Sequence, residues 1–259
     1  MKAKAVLSTI LVLILSAAGY MLRRWALVSS FEDYDLMIPG ARPPLIFCAF
    51  LFAAAIVLLI CSTGKVRSPE NYADAMGSRS VLYLLVSLIT GFVMIGAGAM
   101  GFYELYLSFK LNNIVIILPV FCVLAGFAWI VMSASAWRGK SGTGLGVWAF
   151  FPVLMLCIMV VMLYREVAAM PSLFMYMMTI LAPCAAAIAF YYGAGFIFGI
   201  AKTRRCLFAT RLAAMLSIIA LADPAETSRV LILAFLALAM LVNNFCLTAS
   251  SPRIRGKHE

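Results

Sequence analysis

Residues 45–61 read LIFCAFLFAAAIVLLIC, seventeen consecutive positions without a charge, an amide or a hydroxyl. As a helix rising 1.5 Å per residue, the run spans roughly 25 Å, close to the apolar thickness of a bilayer. It reads as a membrane span, and it is not isolated. Runs of the same kind are read at Ala5–Leu22, Leu45–Cys61, Val81–Tyr103, Ile114–Ala136, Leu145–Tyr164, Leu173–Ile200, Cys206–Ala222 and Arg229–Thr248. The pattern predicts an all-α, polytopic transmembrane helix bundle of about eight spans, forming one integral membrane domain over residues 1–259.

Composition agrees. Apolar residues make up 65% of the chain, only 12% of residues are charged, and the mean hydropathy is +1.07. Soluble domains run about 45–50% apolar and about 25% charged. A water-soluble fold of this size lacks the interior to hide so much apolar surface, whereas a bilayer removes the need.

The charges test the span count. With the N-terminus inside, the inner segments hold Lys2 and Lys4, then Lys65, Arg67 and Arg79, then Arg138 and Lys140. They also hold Lys202, Arg204, Arg205 and Arg211, then Arg253, Arg255 and Lys257, which makes 14 of the 20 basic residues. The acids lean outward: Glu32, Asp33, Asp35, Glu104, Glu166, Asp223 and Glu226. A wrong count would scramble this alternation, so the bias supports eight spans with both termini cytoplasmic. The outward pair Arg23-Arg24 runs against it. The net charge of +10 is thereby topogenic, and its scatter over several loops argues against nucleic-acid binding.

The first run could be taken for a signal peptide, with Lys2 and Lys4 before it and Ser16-Ala17-Ala18 within it. Its length and the following Arg23-Arg24 favour a retained helix. Elsewhere, Asp223-Pro224-Ala225-Glu226 has the form of a capping box with proline at the first helical position, opening the last span. Pro171-Ser172 has the form of an opening for the sixth, and Ser68-Pro69-Glu70 for a short helix ending at Gly77. Trp25, Tyr103, Tyr106, Trp137, Trp148 and Tyr164 fall near span ends, as interfacial aromatics do. The two halves show no matching irregular helices and hence no internal repeat.

Several chemistries are excluded. His258 is the only histidine, which removes paired-histidine zinc sites, histidine-dependent triads and haem ligation by histidine. There is no Walker A loop and no mid-span lysine for a Schiff base. The seven cysteines avoid CxxC spacing and read as packing residues rather than a disulfide framework. No cofactor, metal or catalytic residue is expected. Met155, Met159 and Met162 with Cys157 suggest a soft-metal path for Cu(I) only weakly, because methionine is commoner as a gap-filler. The three acids of residues 31–35 lack the glycine and closing glutamate of a calcium loop.

The candidate positions are therefore intramembrane polar or hinge residues. Arg211 lies about 18 Å below the outer turn at Asp223, and its side chain leans toward the inner end of its helix. Asn243 and Asn244 lean the opposite way on the next, antiparallel helix, so an Arg211 to Asn243/Asn244 hydrogen bond is expected. The competing reading has Arg211 snorkelling to lipid phosphates. Glu104 either lines an outer vestibule or ends its helix in solvent. Pro183 marks either a hinge or a tolerated kink, and Gly195 and Gly199 beyond it form a GxxxG pair for close packing.

The opening helix with Leu22-Arg23-Arg24-Trp25, then Phe31-Glu32, then Ile38-Pro39-Gly40, resembles uncharacterised multi-span membrane proteins of anaerobic gut bacteria. The resemblance covers about the first 45 residues and the span pattern. It implies the bacterial cytoplasmic (inner) membrane and no particular activity. Two function classes stay open. One is transport of a small solute, drawn from the proline-bearing sixth span, the glycine-rich third span (Gly91, Gly96, Gly98, Gly101) and Arg211. The other is a non-transporting scaffold or sensor subunit, drawn from the scarcity of polar groups in the spans. An intramembrane enzyme ranks behind both. The partners expected are the lipid bilayer and either a membrane-protein partner or a second copy of the chain, with any small-molecule substrate unknown.

Overall fold

The computed structural model of the chain describes residues 2–31, 38, 40–63, 69, 71–108, 113–168 and 173–250. Among them the helices are α1 (Lys2–Ser30), α2 (Pro43–Ser62), α3 (Tyr72–Met76), α4 (Val81–Leu107), α5 (Asn113–Trp137), α6 (Leu145–Val167), α7 (Met177–Ala194), α8 (Thr203–Ala220) and α9 (Thr227–Ser250). A 3-10 turn, Leu173–Tyr176, leads into α7. The expected all-helical architecture is present.

Among the described residues, seven helices are long and apolar enough to cross a membrane: α1, α2, α4, α5, α6, α7 with its leading turn, and α9. The expected seventh span, α8, falls outside this set because Arg204, Arg205 and Arg211 dilute its apolar character. Its surroundings explain how it tolerates them. Thirteen of its 18 residues are buried, and it packs against α1, α2, α7 and α9. A helix wrapped by protein need not present an apolar surface on every face. In α1 and α2, only 22% of the most apolar window is buried, and their outer faces are aliphatic and aromatic.

Elsewhere α1 packs on α2 and α9, α4 on α5 and α9, α5 on α6, and α6 on α7, with α3 against α5, α7 and α9. The glycine-rich face of α4 is a packing seam. A Cβ at Gly91 would stand 2.4 Å from Ile130, and one at Gly98 would stand 2.6 Å from Val123 and 2.8 Å from the Pro119 carbonyl oxygen. Gly126 answers from α5, where a Cβ would lie 2.9 Å from the Gly91 carbonyl oxygen. Small residues let the two backbones approach as they do in membrane helix pairs. Gly96 faces away from this seam, with open space where its Cβ would be. Across the bundle centre, Trp129, Phe190 and Phe235 fill the space with ring centroids 5.9–6.5 Å apart. The Trp129 indole N–H donates to the Ser87 carbonyl at 3.0 Å, so this large ring is buried with its polar atom satisfied.

Several local expectations are corrected. α7 ends at Ala194, short of the expected Ile200, so Gly195 and Gly199 do not form a helical GxxxG pair. Gly195 caps the helix, where a Cβ would meet the Ile200 carbonyl oxygen at 2.8 Å, and Gly199 adopts φ +72° as the chain turns back toward α8. Glycine is needed there for chain reversal, not helix packing. α9 begins at Thr227, four residues after the expected capping aspartate, because Asp223 has other partners. The short helix expected to end at Gly77 is present as α3, shorter than expected. Ser68, Glu70, Pro171-Ser172 and the acids Glu32, Asp33 and Asp35 lie outside the described residues.

Candidate functional site

Two buried polar layers tie the bundle together, one near each end of α1. The first centres on Arg23, whose side chain has no exposed surface. Its Nε donates to Asp223 Oδ1 at 2.7 Å. Its Nη2 donates to the carbonyl oxygens of Phe174 (3.0 Å) and Met175 (2.7 Å), in the 3-10 turn before α7. The guanidinium also lies over the rings of Phe174 and Phe47, 4.8 and 5.5 Å from their centroids. Asp223 Oδ2 accepts from the Thr179 hydroxyl at 2.9 Å. Burial pushes the Asp223 carboxyl up from its ordinary value, while Arg23 and Thr179 hold it down against that. Arg23, which counted against the charge rule as an outward basic residue, is thus a neutralised structural ion. Arg24 beside it is exposed.

The second layer centres on Arg211, which is only 6% exposed. Its Nε donates to Asn244 Oδ1 at 3.0 Å, its Nη1 to Ser62 Oγ at 3.1 Å and its Nη2 to Thr248 Oγ1 at 3.4 Å. Asn244 extends the network to α1: Ser8 Oγ donates to its Oδ1 at 3.4 Å, and its Nδ2 donates to Thr9 Oγ1 at 3.3 Å. The layer joins α1, α2, α8 and α9. Arg211 is therefore held within the protein rather than snorkelling to lipid.

The expected pairing is met by Asn244 and not by Asn243. Neighbouring helical residues point about 100° apart, so only one can face Arg211. Asn243 instead borders a void of about 10 Å³ beside Tyr72, Trp129 and Phe190, about the volume one water needs.

Glu104 is not a free vestibule group. Its Oε1 accepts the backbone N–H of Ser228 at 3.0 Å, so the end of α4 caps the first turn of α9. Pro183 is buried inside α7, and the helix runs through it unbroken. Its missing N–H would have bonded the carbonyl of Thr179, whose hydroxyl holds Asp223.

Met155 and Met159 are buried core residues, whereas Cys157 is exposed on another face of α6, so the three do not converge. Among the described residues no disulfide joins the cysteines, and no group of histidine, cysteine or acid side chains gathers as a metal site. Two cavities open at the surface of the described residues. One, of about 430 Å³, lies among Glu166, Tyr176, Pro224, Glu226 and Arg229, where Arg229 pairs with Glu166. The other, of about 480 Å³, is a lateral groove along α8.

No protein-family model, curated protein or solved structure matches this chain.

Proposed function

We propose that the chain is a non-transporting membrane protein, a scaffold or sensor subunit acting through a protein partner in the bacterial cytoplasmic membrane. The observation that carries this reading is the use of the two intramembrane arginines. Arg23 through its Nε and Nη2, and Arg211 through its Nε, Nη1 and Nη2, donate to groups of this same chain, while Arg23 Nη1 is buried without a hydrogen bond among the described residues. A polar solute crossing a membrane needs polar groups that face its path. Here the bundle centre is occupied by Trp129, Phe190 and Phe235.

The same contacts support eight spans with both termini cytoplasmic. Ser8 and Thr9 near the start of α1 lie beside Asn244 near the end of α9, while Arg23 lies beside Asp223. The layers stand about 21 Å apart along α1, and α8 reaches from one to the other. A cytoplasm-dependent reporter fused after Glu259 is expected to be active. Activity only from a reporter that works outside the cytoplasm would overturn the cytoplasmic placement of the C-terminus. Ser8 and Thr9 also support a retained first helix, because both lie ahead of Ser16-Ala17-Ala18 and hydrogen-bond Asn244.

A second reading, transport of a small solute, draws on the polar cavity at Glu166, Glu226 and Arg229. Native cysteines separate the two. Cys157 is exposed and Cys184 borders the lateral groove, whereas Cys122 is 1% exposed inside the core. With an impermeant thiol reagent applied from each side and the adducts mapped by mass spectrometry, Cys122 is expected to stay unmodified. Modification of Cys122 would show water at the core and would replace this reading with transport, since thiols react as hydrated thiolates.

A further inference from the structure

The lateral groove has a polar end and an apolar end. α8 forms its floor through Phe208, Leu212 and Leu216, and α7 borders it through Leu181, Cys184 and Ile188. At the N-terminal end of α8, Arg204 and Arg205 enter the lining with Thr63 and Tyr192. Both arginines are exposed, as are Leu59, Leu181 and Ile188 on the rim. From Arg204 to Leu216 the groove runs about 18 Å along the helix axis, slightly more than half of a hydrocarbon core of about 30 Å. It is about as long as one leaflet is thick, with its charge gathered at one end.

We infer that this groove binds one anionic phospholipid, its phosphate between Arg204 and Arg205 and an acyl chain along Phe208, Leu212 and Leu216. Charge complementarity selects this occupant. An apolar partner helix would leave two cations unmatched, whereas a lipid phosphate accepts hydrogen bonds from both guanidinium groups. The apolar length then holds the chain of the same molecule. The inner leaflet supplies such lipids, and basic side chains near it gain affinity for them additively.

The test is native mass spectrometry of the full chain in detergent, titrated separately with dioleoylphosphatidylglycerol and dioleoylphosphatidylcholine. The first phosphatidylglycerol is expected to bind about 30-fold tighter than the first phosphatidylcholine, as two surface arginines allow. R204Q/R205Q is expected to bring the two lipids within about twofold. I188W, a change on the exposed rim that fills the groove without altering charge, is expected to weaken phosphatidylglycerol binding to a similar degree. The inference is overturned if the wild type shows no preference or if R204Q/R205Q keeps it. It is also overturned if I188W leaves binding intact, which would mean surface charge acting without the groove. A dimer that I188W dissociates would assign the groove to a second copy instead.

Discussion

Replacing Arg23 with leucine is expected to destabilise the folded protein by about 3–5 kcal/mol, the cost typical of leaving a buried charge without its partner. Asp223→Leu should cost a similar amount, since it strands the guanidinium and removes the acceptor of the Thr179 hydroxyl. The double change R23L/D223L should recover much of the loss, because replacing a whole buried ion pair by apolar groups is often close to neutral. Recovery stays incomplete, as leucine cannot reach the carbonyls of Phe174 and Met175 or lie over the Phe47 and Phe174 rings as a cation. Arg23→Lys should fall between, keeping the charge but losing the fork that serves carboxylate and carbonyls together. The measurement is reversible unfolding in mixed micelles or bicelles. A loss below about 1 kcal/mol in R23L, the range of solvent-exposed pairs, would mean that the side chain sits in the aqueous interface.

The same variant carries a pH signature. With Arg23 gone, the influence that most opposes the upward push of burial on Asp223 is lost, and the carboxyl moves further up from its ordinary value of 3.8. A carboxyl raised in the folded state favours folding at low pH, and that contribution is lost as pH rises through the folded-state value. The deficit of R23L should therefore be smaller at about pH 5 than at about pH 8.

What the sequence revealed depended on how local the signal was. The apolar helices were legible because a bilayer demands long apolar runs. Arg211 stood out because a charge within an apolar run has few explanations. A pairing with Asn243 or Asn244 followed from an antiparallel neighbour joined by a short turn, and the structure selects Asn244. The Arg23–Asp223 pair was hidden because 200 residues separate its members. Each also had a local reading that masked it: Arg23 as an outer interfacial base, and Asp223 as the cap of the last helix. Glu104 shows the same conflict, ending its own helix in sequence while capping another in space. Glycine was ambiguous for a different reason. Gly91 and Gly98 admit a neighbouring helix, Gly195 and Gly199 turn the chain, and spacing alone does not distinguish the two uses.

The second large effect is expected at Arg211. Arg211→Leu removes the shared donor of Asn244, Ser62 and Thr248 at once, and a loss of about 2–4 kcal/mol is expected from hydrogen bonds to a charged group in a buried site. Asn244→Leu should cost less, because Arg211 keeps Ser62 and Thr248. The double change should cost less than the sum by about 0.5–2 kcal/mol, since each single change already breaks the shared bond. Asn243→Leu is the internal control: it faces away from Arg211 and should combine additively with R211L. Asn244→Asp sharpens the test. A carboxylate keeps the acceptor toward Arg211, and the Thr9 hydroxyl, which donates to the Ala5 carbonyl while accepting from Asn244 Nδ2, can turn its one proton to the carboxylate because that carbonyl keeps its helical N–H. N244D should therefore stay near wild-type stability while N244L does not, and R211L should turn N244D from tolerated to damaging. Full additivity between R211L and N244L would mean that the two side chains are not coupled, and the Arg211 layer would then owe its order to helix packing alone.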